Sequence, residues 1–367
     1  MLLLATAAFA ADPPAAPPPS APAPTLPAVA VRPFAWVRPA FTWIADDPQR
    51  PAAQDGFTAE ARIGVEASLA ELPVSAKVEL ALLPEPQLTD AFLSVAPLSF
   101  VTVNLGQMKV PFSLHRLASD TRRQLPHGVG FLAEAGIGRE IGADVVIDLP
   151  IAGKTRAVLT SGVYNGEGAN RIQNVNQRFL YAQRVLLTPL GARRSPSEGV
   201  GGGTDRAVYV GIGGGWLYDY EGDGLTAAES NTFGLELQLA WNVLSFQAEA
   251  VDQQIVHANA AVADYRVQGA YGQLGCFVPA PWVRDHVELV GRVEAAEPNT
   301  TFGAAEGEAQ PDLQATQTLT GGINVYVRAA PERLHDLKLQ VAYAHVTPLE
   351  GADLNDDSFT VSATARF

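Results

Sequence analysis

Basic side chains gather in one short stretch of a chain that is otherwise acidic. The sequence has 25 Lys and Arg residues against 39 Asp and Glu residues, a formal net charge of -14. Between residues 109 and 139, one lysine and four arginines occur together: Lys109, Arg116, Arg122, Arg123 and Arg139. Guanidinium and ammonium groups bind carboxylate and phosphate oxygens through charged hydrogen bonds. The cluster therefore predicts contact with anions, unless nearby carboxylates such as Asp120 and Glu134 neutralise it.

Other kinds of chemistry find little support. Cys276 is the single cysteine, so the chain can form neither an internal disulfide nor a cysteine-rich metal cluster. The sequence has no Gly-x-Ser-x-Gly elbow and no His-x-x-x-His pair, and its glycine runs lack the lysine of a phosphate-binding loop. We therefore predict no catalytic residue, no metal site and no cofactor. The acidic balance also argues against nucleic acid as a partner, because binding phosphates requires a basic face.

The N-terminal residues have the features of an export signal followed by a spacer. An apolar run precedes Ala8-Phe9-Ala10, a small-x-small pattern typical of a signal-peptidase site, although no Lys or Arg comes before the run. This predicts a signal peptide over residues 1–10. Residues 11–31 are rich in proline and alanine, which predicts an extended periplasmic spacer. The folded domain is then expected over residues 32–367.

The elements that would position the basic cluster are long alternating strands. The stretch "FTAEARIGVEASLA" places Phe57, Ile63 and Val65 on one face and Glu60 and Arg62 on the other. The stretch "NTFGLELQLAWNVLSFQAEA" does the same twice across a tight turn. Apolar and polar residues alternating with a period of two indicate strands that have one apolar face and one polar face.

Strand length and connection length favour a membrane barrel over a soluble sandwich. Sandwich strands are usually about five or six residues, whereas these segments are long enough to cross a bilayer when tilted. Short links alternate with long ones, such as those predicted at residues 219–231 and 252–264, as in outer-membrane barrels. The exception is the long link near residues 188–206, which the strand count places on the side of the short links. We predict an all-β fold, a transmembrane antiparallel up-and-down barrel of about 16 strands.

In the predicted strands, the charged residues occupy the polar positions of the alternation, so their side chains would point into the barrel. The expected lumen wall comprises both signs: Arg62, Arg184, Arg292, Arg328, Arg366, Glu60, Glu66, Glu236, Glu249 and Glu288. The run "GIGGGW" also lies on a strand, where missing side chains would let backbone or solvent approach. Mixed signs on the wall indicate a transverse field in a general diffusion pore rather than a selective ladder.

The C-terminal strand has a specific role in a barrel. "DDSFTVSATARF" alternates up to Phe367, and a closing strand must pair with the first one because unpaired backbone groups in hydrocarbon cost several kcal/mol each. Phe367 would then lie at the lower aromatic girdle. An amphipathic strand that ends in an aromatic residue also resembles the signal by which the barrel-assembly machinery takes up outer-membrane proteins.

Three motifs resemble one known family. "NLGQMKVPFSLHRLASD", "GREIGADVV" and "GVYNGEGANR" occur in the order and with the spacing of the phosphate-selective porin O and P family. The resemblance covers roughly residues 57–367. It implies a sixteen-stranded, trimeric, water-filled channel whose third loop folds inward to narrow the pore. That loop maps onto residues 110–138, so the basic cluster would lie at the constriction.

The sequence thus predicts a porin in the bacterial outer membrane, passive toward small hydrophilic solutes and ions. Charges at the constriction of a pore affect passing ions more strongly than the screened charges of the external loops do. The basic cluster therefore favours a modest anion preference. A lysine-rich phosphate funnel is not visible, since only four lysines are present: Lys77, Lys109, Lys154 and Lys338. The expected partners are outer-membrane lipid and lipopolysaccharide, two further copies of the chain and the barrel-assembly machinery. An outer-membrane enzyme or adhesin, or a soluble periplasmic β-protein, are the alternatives.

Overall fold

The computed structural model describes residues 28–45, 56–135, 138–191, 208–302, 315–328, 333–349 and 357–367. Sixteen antiparallel strands form one closed barrel in which each strand pairs with its neighbours in the chain. The first eight are β1 (Val29–Ile44), β2 (Gly56–Leu69), β3 (Val74–Leu83), β4 (Gln87–Leu98), β5 (Val101–Lys109), β6 (Arg139–Ala152), β7 (Thr155–Tyr164) and β8 (Leu180–Leu190). The second eight are β9 (Tyr209–Glu221), β10 (Ala228–Trp241), β11 (Leu244–His257), β12 (Asp264–Phe277), β13 (Val287–Phe302), β14 (Thr316–Tyr326), β15 (Leu337–Pro348) and β16 (Ser358–Arg366). The predicted fold class and strand number are confirmed.

The two faces of each strand follow the alternation in the sequence. In β10, the Leu235 side chain is 71% exposed on the outside, whereas its neighbour Glu236 is 7% exposed and points inward. The same parity holds in β2, where Phe57, Ile63 and Val65 are exposed apolar residues. An apolar exterior around a polar interior is the arrangement that lipid on one side and water on the other require. Among the described residues, no helix has the length and apolar character to cross a membrane.

The barrel closes between its first and last strands. Antiparallel pairs run from Trp36 opposite Arg366 to Ile44 opposite Ser358. The backbone N–H of Phe367 donates to the carbonyl of Ala35 at 2.9 Å, so the last residue still belongs to the seam. β1 begins at Val29, ahead of the domain boundary expected at residue 32. The predicted signal peptide and most of the predicted spacer lie outside the described residues.

Connections at the two ends of the barrel differ in length. We call the end at which the chain enters and leaves the terminal end, and the opposite end the loop end. Two links at the loop end are shorter than predicted, because the strands beside them are longer. The link predicted at 219–231 comprises residues 222–227, and the one predicted at 252–264 comprises residues 258–263. Residues 84–86 also form a short link at the loop end. β8 ends at Leu190 and β9 begins at Tyr209, both at the terminal end, where the strand count placed the long 188–206 connection. Residues 192–207 of that connection lie outside the described residues.

One connection folds into the barrel. This inner loop, residues 110–138, joins β5 to β6 and contains helix α1 (Leu114–Leu117), a short 3-10 turn (Asp120–Arg122) and helix α2 (Gly130–Glu134). Its stem is held by the backbone N–H of Val110, which donates to the carbonyl of Gly138 at 3.1 Å. α2 contacts β12 and β13, strands on the far side of the lumen.

Candidate functional site

The inner loop reaches the opposite wall with two aromatic rings. Phe112 and Phe131 are each 1% exposed, although they belong to a connection. Phe112 lies over Gly215 and Gly234, and Phe131 lies over Gly269; all three glycines are on inward-facing positions of the wall. A Cβ atom on Gly269 would come within 2.3 Å of the Phe131 ring, so the contact requires glycine. Glycines of the wall thus serve as sockets that fix the loop across the lumen.

Carboxylates of the wall bind the backbone of the loop. Glu249 accepts hydrogen bonds from the N–H groups of Leu114 at 2.9 Å and His115 at 2.7 Å. Glu288 accepts from the Gln124 side-chain amide at 2.5 Å. These are charge-assisted bonds inside a water-poor region, where each one is stronger than on a surface. Both glutamates were expected on an open lumen wall, and the structure places them beneath the loop instead.

Apart from Arg366, the remaining members of the expected wall are engaged in ion pairs or in contacts with the loop. Arg292 donates to the carbonyls of His127 at 3.3 Å and Gly128 at 2.8 Å. Arg184 pairs with Glu236 at 2.5 Å. The other pairs, all involving expected wall residues, are Arg38–Glu60, Arg62–Glu79, Arg62–Asp120, Arg32–Glu66 and Arg328–Asp336. Arg366 faces Trp36 across the seam, and its backbone N–H donates to the Asp336 carbonyl.

Four of the five predicted constriction residues line one cavity of about 340 Å³, called here the basic cavity. It lies toward the loop end, between the stem of the inner loop and strands β1 to β3. Six basic side chains line it: Arg38, Arg62, Lys109, Arg116, Arg123 and Arg139. Two acidic side chains, Glu60 and Asp120, share the lining. Arg122 is not part of this cavity; its charged neighbours are Arg366, Glu66, Arg32 and Asp336.

Asp120 is the central carboxylate of the basic cavity. Its two oxygens accept from Arg62 at 2.7 Å and from Arg123 at 3.0 Å, while Arg38 donates to its backbone carbonyl at 3.3 Å. Burial alone would raise the pKa of Asp120, but Arg123, Arg62 and Lys109 hold it below its usual range. Of the clustered arginines that Asp120 was expected to neutralise, it pairs with Arg123; its other partner, Arg62, belongs to the barrel wall.

The side chains of Lys109 and Arg139 also have partners within the barrel. The Lys109 ammonium donates to the carbonyls of Arg116 and Ala118, both at 2.7 Å, at the C-terminal end of α1. Cations stabilise helix C-termini, because carbonyl groups are left there without intrahelical partners. Arg139 pairs with Asp90 of β4 at 2.7 Å. Both residues fix the ends of the loop, and Arg139 adds a positive charge to the cavity.

Arg116 is the exception in the basic cavity. Among the described residues its guanidinium makes no ion pair, although the side chain is half-buried. Burial and the nearby Arg123 lower the pKa of Arg116, as expected for a cation placed beside other cations. A guanidinium always remains charged in proteins, so this site is a fixed positive charge with open donors.

Arg38 was not predicted as a site residue. It lies on β1, 9% exposed, two residues after the buried Trp36. The sequence did contain a signal for Arg38, since Trp36 and Arg38 occupy alternate positions on either side of the exposed Val37. The proline-rich context around residue 31 concealed the start of the strand.

A second cavity of about 290 Å³ lies on the other side of the loop stem and is called the acidic cavity. Val110 and Gly138 line both cavities. The charged side chains of the acidic cavity are all carboxylates: Glu140, Glu167, Asp219 and Glu221. The lumen near the loop end is thus divided into two regions of opposite charge, which is a transverse field.

Comparison with known proteins shows the fold. No family model and no curated protein matches the chain. Among solved structures, the trimer form of OmpT of Vibrio cholerae, an outer membrane protein, is 12% identical with a TM-score of 0.60 over 93% of this chain and 100% of that one. An anion-selective porin from Comamonas acidovorans is 11% identical, with a TM-score of 0.60 over 93% and 100%.

A third solved structure, the outer membrane channel DcaP of Acinetobacter baumannii, is 11% identical with a TM-score of 0.58 over 92% of this chain and 97% of that one. At these identities the likeness establishes the architecture. The fold is that of bacterial outer-membrane barrels, and the apolar exterior fits the hydrocarbon core of that membrane.

Proposed function

We propose that the chain is an outer-membrane porin that lets small hydrophilic solutes and ions diffuse passively, with a modest preference for anions. The observation that carries the proposal is Arg116, a half-buried guanidinium that makes no ion pair among the described residues and lines a cavity beside the inner loop. Six basic against two acidic side chains leave that cavity positive in a chain of net charge -14. Focusing by low-dielectric walls gives such charges more weight than those outside.

The preference should be modest because most of the positive charge is compensated. Arg62, Arg123 and Arg139 have carboxylate partners, and the Lys109 ammonium is held by carbonyl groups. The acidic cavity beyond Val110 opposes anions at the same height of the barrel. Transport, rather than catalysis, is proposed because the charged groups serve as ion pairs and loop anchors.

We further propose membership of the phosphate-selective porin O and P family and assembly as a homotrimer. The family motifs support the first. For the second, the V. cholerae OmpT named above was solved in a trimer form. In this arrangement the terminal end faces the periplasm, lipid and lipopolysaccharide surround the barrel, and Phe367 is read by the assembly machinery.

The test is the zero-current potential of the purified protein in a planar bilayer under a KCl gradient. The native channel should favour chloride, and Arg116→Gln should move the potential toward cations. Arg266→Gln is the matched control, because Arg266 pairs with Asp252 on the outward face of β11 and β12. Equal shifts in both variants, or a native potential that favours potassium, would contradict the anion preference. Block by added phosphate would support the phosphate-selective family.

A further inference from the structure

The acidic cavity holds buried carboxylates that lack cations. Asp219 is 8% exposed and Glu140 is 7% exposed, and no basic side chain is among the residues that line the cavity. Taking a carboxylate out of water costs several kcal/mol unless charge or hydrogen bonds compensate. The question is therefore which groups satisfy these oxygens.

Two of the carboxylates are satisfied by backbone N–H groups of the 165–179 connection. Glu140 accepts from Gly168 at 2.6 Å and from Gly166 at 3.2 Å, and Glu167 accepts from Val175 at 3.0 Å. Asp219 differs: its single hydrogen bond among the described residues comes from the Tyr220 N–H to Oδ1 at 2.9 Å. Its second oxygen is left for a ligand.

Gln253 supplies an independent sign of a binding site. This side chain lines the acidic cavity, is 6% exposed and donates through Nε2 to the carbonyl of Ala135 at 3.4 Å. Its amide oxygen, Oε1, is buried and has no partner among the described residues. Buried polar atoms without partners are rare and costly, so an open acceptor in the same cavity as Asp219 points to a hydrogen-bond donor that arrives with the solute.

We infer that the acidic cavity binds the ammonium group of a small organic solute, through Asp219 and the Gln253 amide oxygen. An ammonium group brings a positive charge and three N–H donors, which match a carboxylate and an amide carbonyl. The volume of about 290 Å³ corresponds to roughly ten water volumes of about 30 Å³ each, which suits a small molecule better than a bare ion.

The neighbouring basic cavity defines the rest of that solute. Only the loop stem, with Val110 and Gly138, separates the ammonium site from the Arg116 side of the lumen. The lumen thus presents carboxylates on one side of the stem and guanidinium groups on the other to a solute that carries both charges. The preferred class is thus zwitterionic, such as amino acids or short peptides. This step rests on the proposed porin function, because both cavities must be reached from the channel.

The test uses three probes with the same carbon skeleton: n-butylammonium, 4-aminobutyrate and butyrate. Binding to the full-length protein in detergent is measured by saturation-transfer difference NMR, which detects millimolar affinities. The native protein should give signals with both amines, and Asp219→Asn should reduce them several-fold while keeping an oxygen for the Tyr220 N–H. Glu229→Gln is the control, since it removes one exposed charge at the same end of the barrel without lining the cavity.

Gln253→Leu is a second variant, should Asp219→Asn fail to fold, and it too should weaken both amine signals. Amine signals that are unchanged in folded Asp219→Asn or Gln253→Leu protein would overturn the inference. So would displacement of butylammonium by calcium at far lower concentration, which would assign the cavity to a metal ion. Channel formation is recorded on the same preparations: a conducting channel without amine binding refutes this inference alone, whereas amine binding without a channel refutes the proposed function.

Discussion

The ring of Phe112 occupies the space that a side chain on Gly234 would need: a Cβ atom there would lie 2.7 Å from the ring carbon Cζ. The two residues come from opposite sides of the barrel, since Phe112 begins the inner loop and Gly234 lies in the middle of β10. The contact shows that the wall was shaped for this loop. The position of the loop, and with it the width of the lumen, depends on a few such contacts.

Gly234→Val should displace Phe112 and loosen the inner loop. Overpacking typically costs about 1–3 kcal/mol, and here the ring can avoid the clash by leaving its socket. The expected result is a larger and noisier single-channel conductance together with a lower unfolding temperature. Gly291→Val is the control, because a Cβ atom at Gly291 meets nothing within 4 Å. Identical conductance in both variants would mean that Phe112 does not set the loop position.

Asp120→Asn should increase the anion preference. The substitution leaves the Arg62 and Arg123 guanidinium groups without their shared carboxylate, so the basic cavity gains net positive charge. The zero-current potential should move further toward chloride, opposite in sign to the shift expected for Arg116→Gln. Asp285→Asn, in the 278–286 turn at the terminal end, serves as the comparison. A shift toward cations in Asp120→Asn would show that the loop has moved rather than lost a charge.

Lys109→Met should destabilise helix α1 and the stem of the inner loop. The ammonium group donates to two carbonyls at 2.7 Å, and hydrogen bonds to charged groups contribute about 1.5–3 kcal/mol each. We expect faster proteolysis within residues 110–138 and a lower unfolding temperature. Lys154→Met, at the Gly153–Lys154 turn, removes the same charge without touching the loop. Equal protease resistance in the two variants would argue against a structural role for Lys109.

Phe367→Ala should impair assembly in cells more than folding in vitro. Phe367 is 80% exposed, and its seam contacts are made by backbone atoms, so its side chain contributes little to the finished barrel. The expected result is a reduced amount of protein in the outer membrane, with normal refolding into detergent micelles. Phe57→Ala, another exposed aromatic residue on the outer face, should change neither. A refolding defect in Phe367→Ala would assign the residue to barrel stability instead.

The alternation of apolar and polar residues made the barrel predictable from sequence, but it shows only which way each side chain of a single strand points. The inward or outward direction of Leu235 and Glu236 follows from a period of two, which is a local property. The partners of inward residues do not: Arg62 meets Asp120, 58 positions away, only because a connection enters the lumen. Glu249 and Glu288 have the same parity as wall residues that face water, so sequence could not tell that the loop covers them.

Strand ends were less predictable for a related reason. The link between β11 and β12 is shorter than the predicted 252–264. β11 continues to His257 and β12 starts at Asp264, and polar residues still pair in register there. Beyond the membrane, strands no longer need an apolar face, so the alternation that reveals them fades before the hydrogen bonding does. The family resemblance supplied the inward loop, which composition and periodicity could not have done.

The seam between β1 and β16 separates this barrel from a simple series of hairpins. Every other strand pair joins neighbours in the chain, whereas the seam joins Val37 to Ala365. Hairpins can form as soon as their two strands exist, but the ring cannot close until the final residues have been delivered, at a loop-closure cost that grows only slowly with length. Until that moment, two unpaired strand edges would be exposed. An unclosed chain therefore presents two edges that could pair with other strands, and closure of the seam removes both at once.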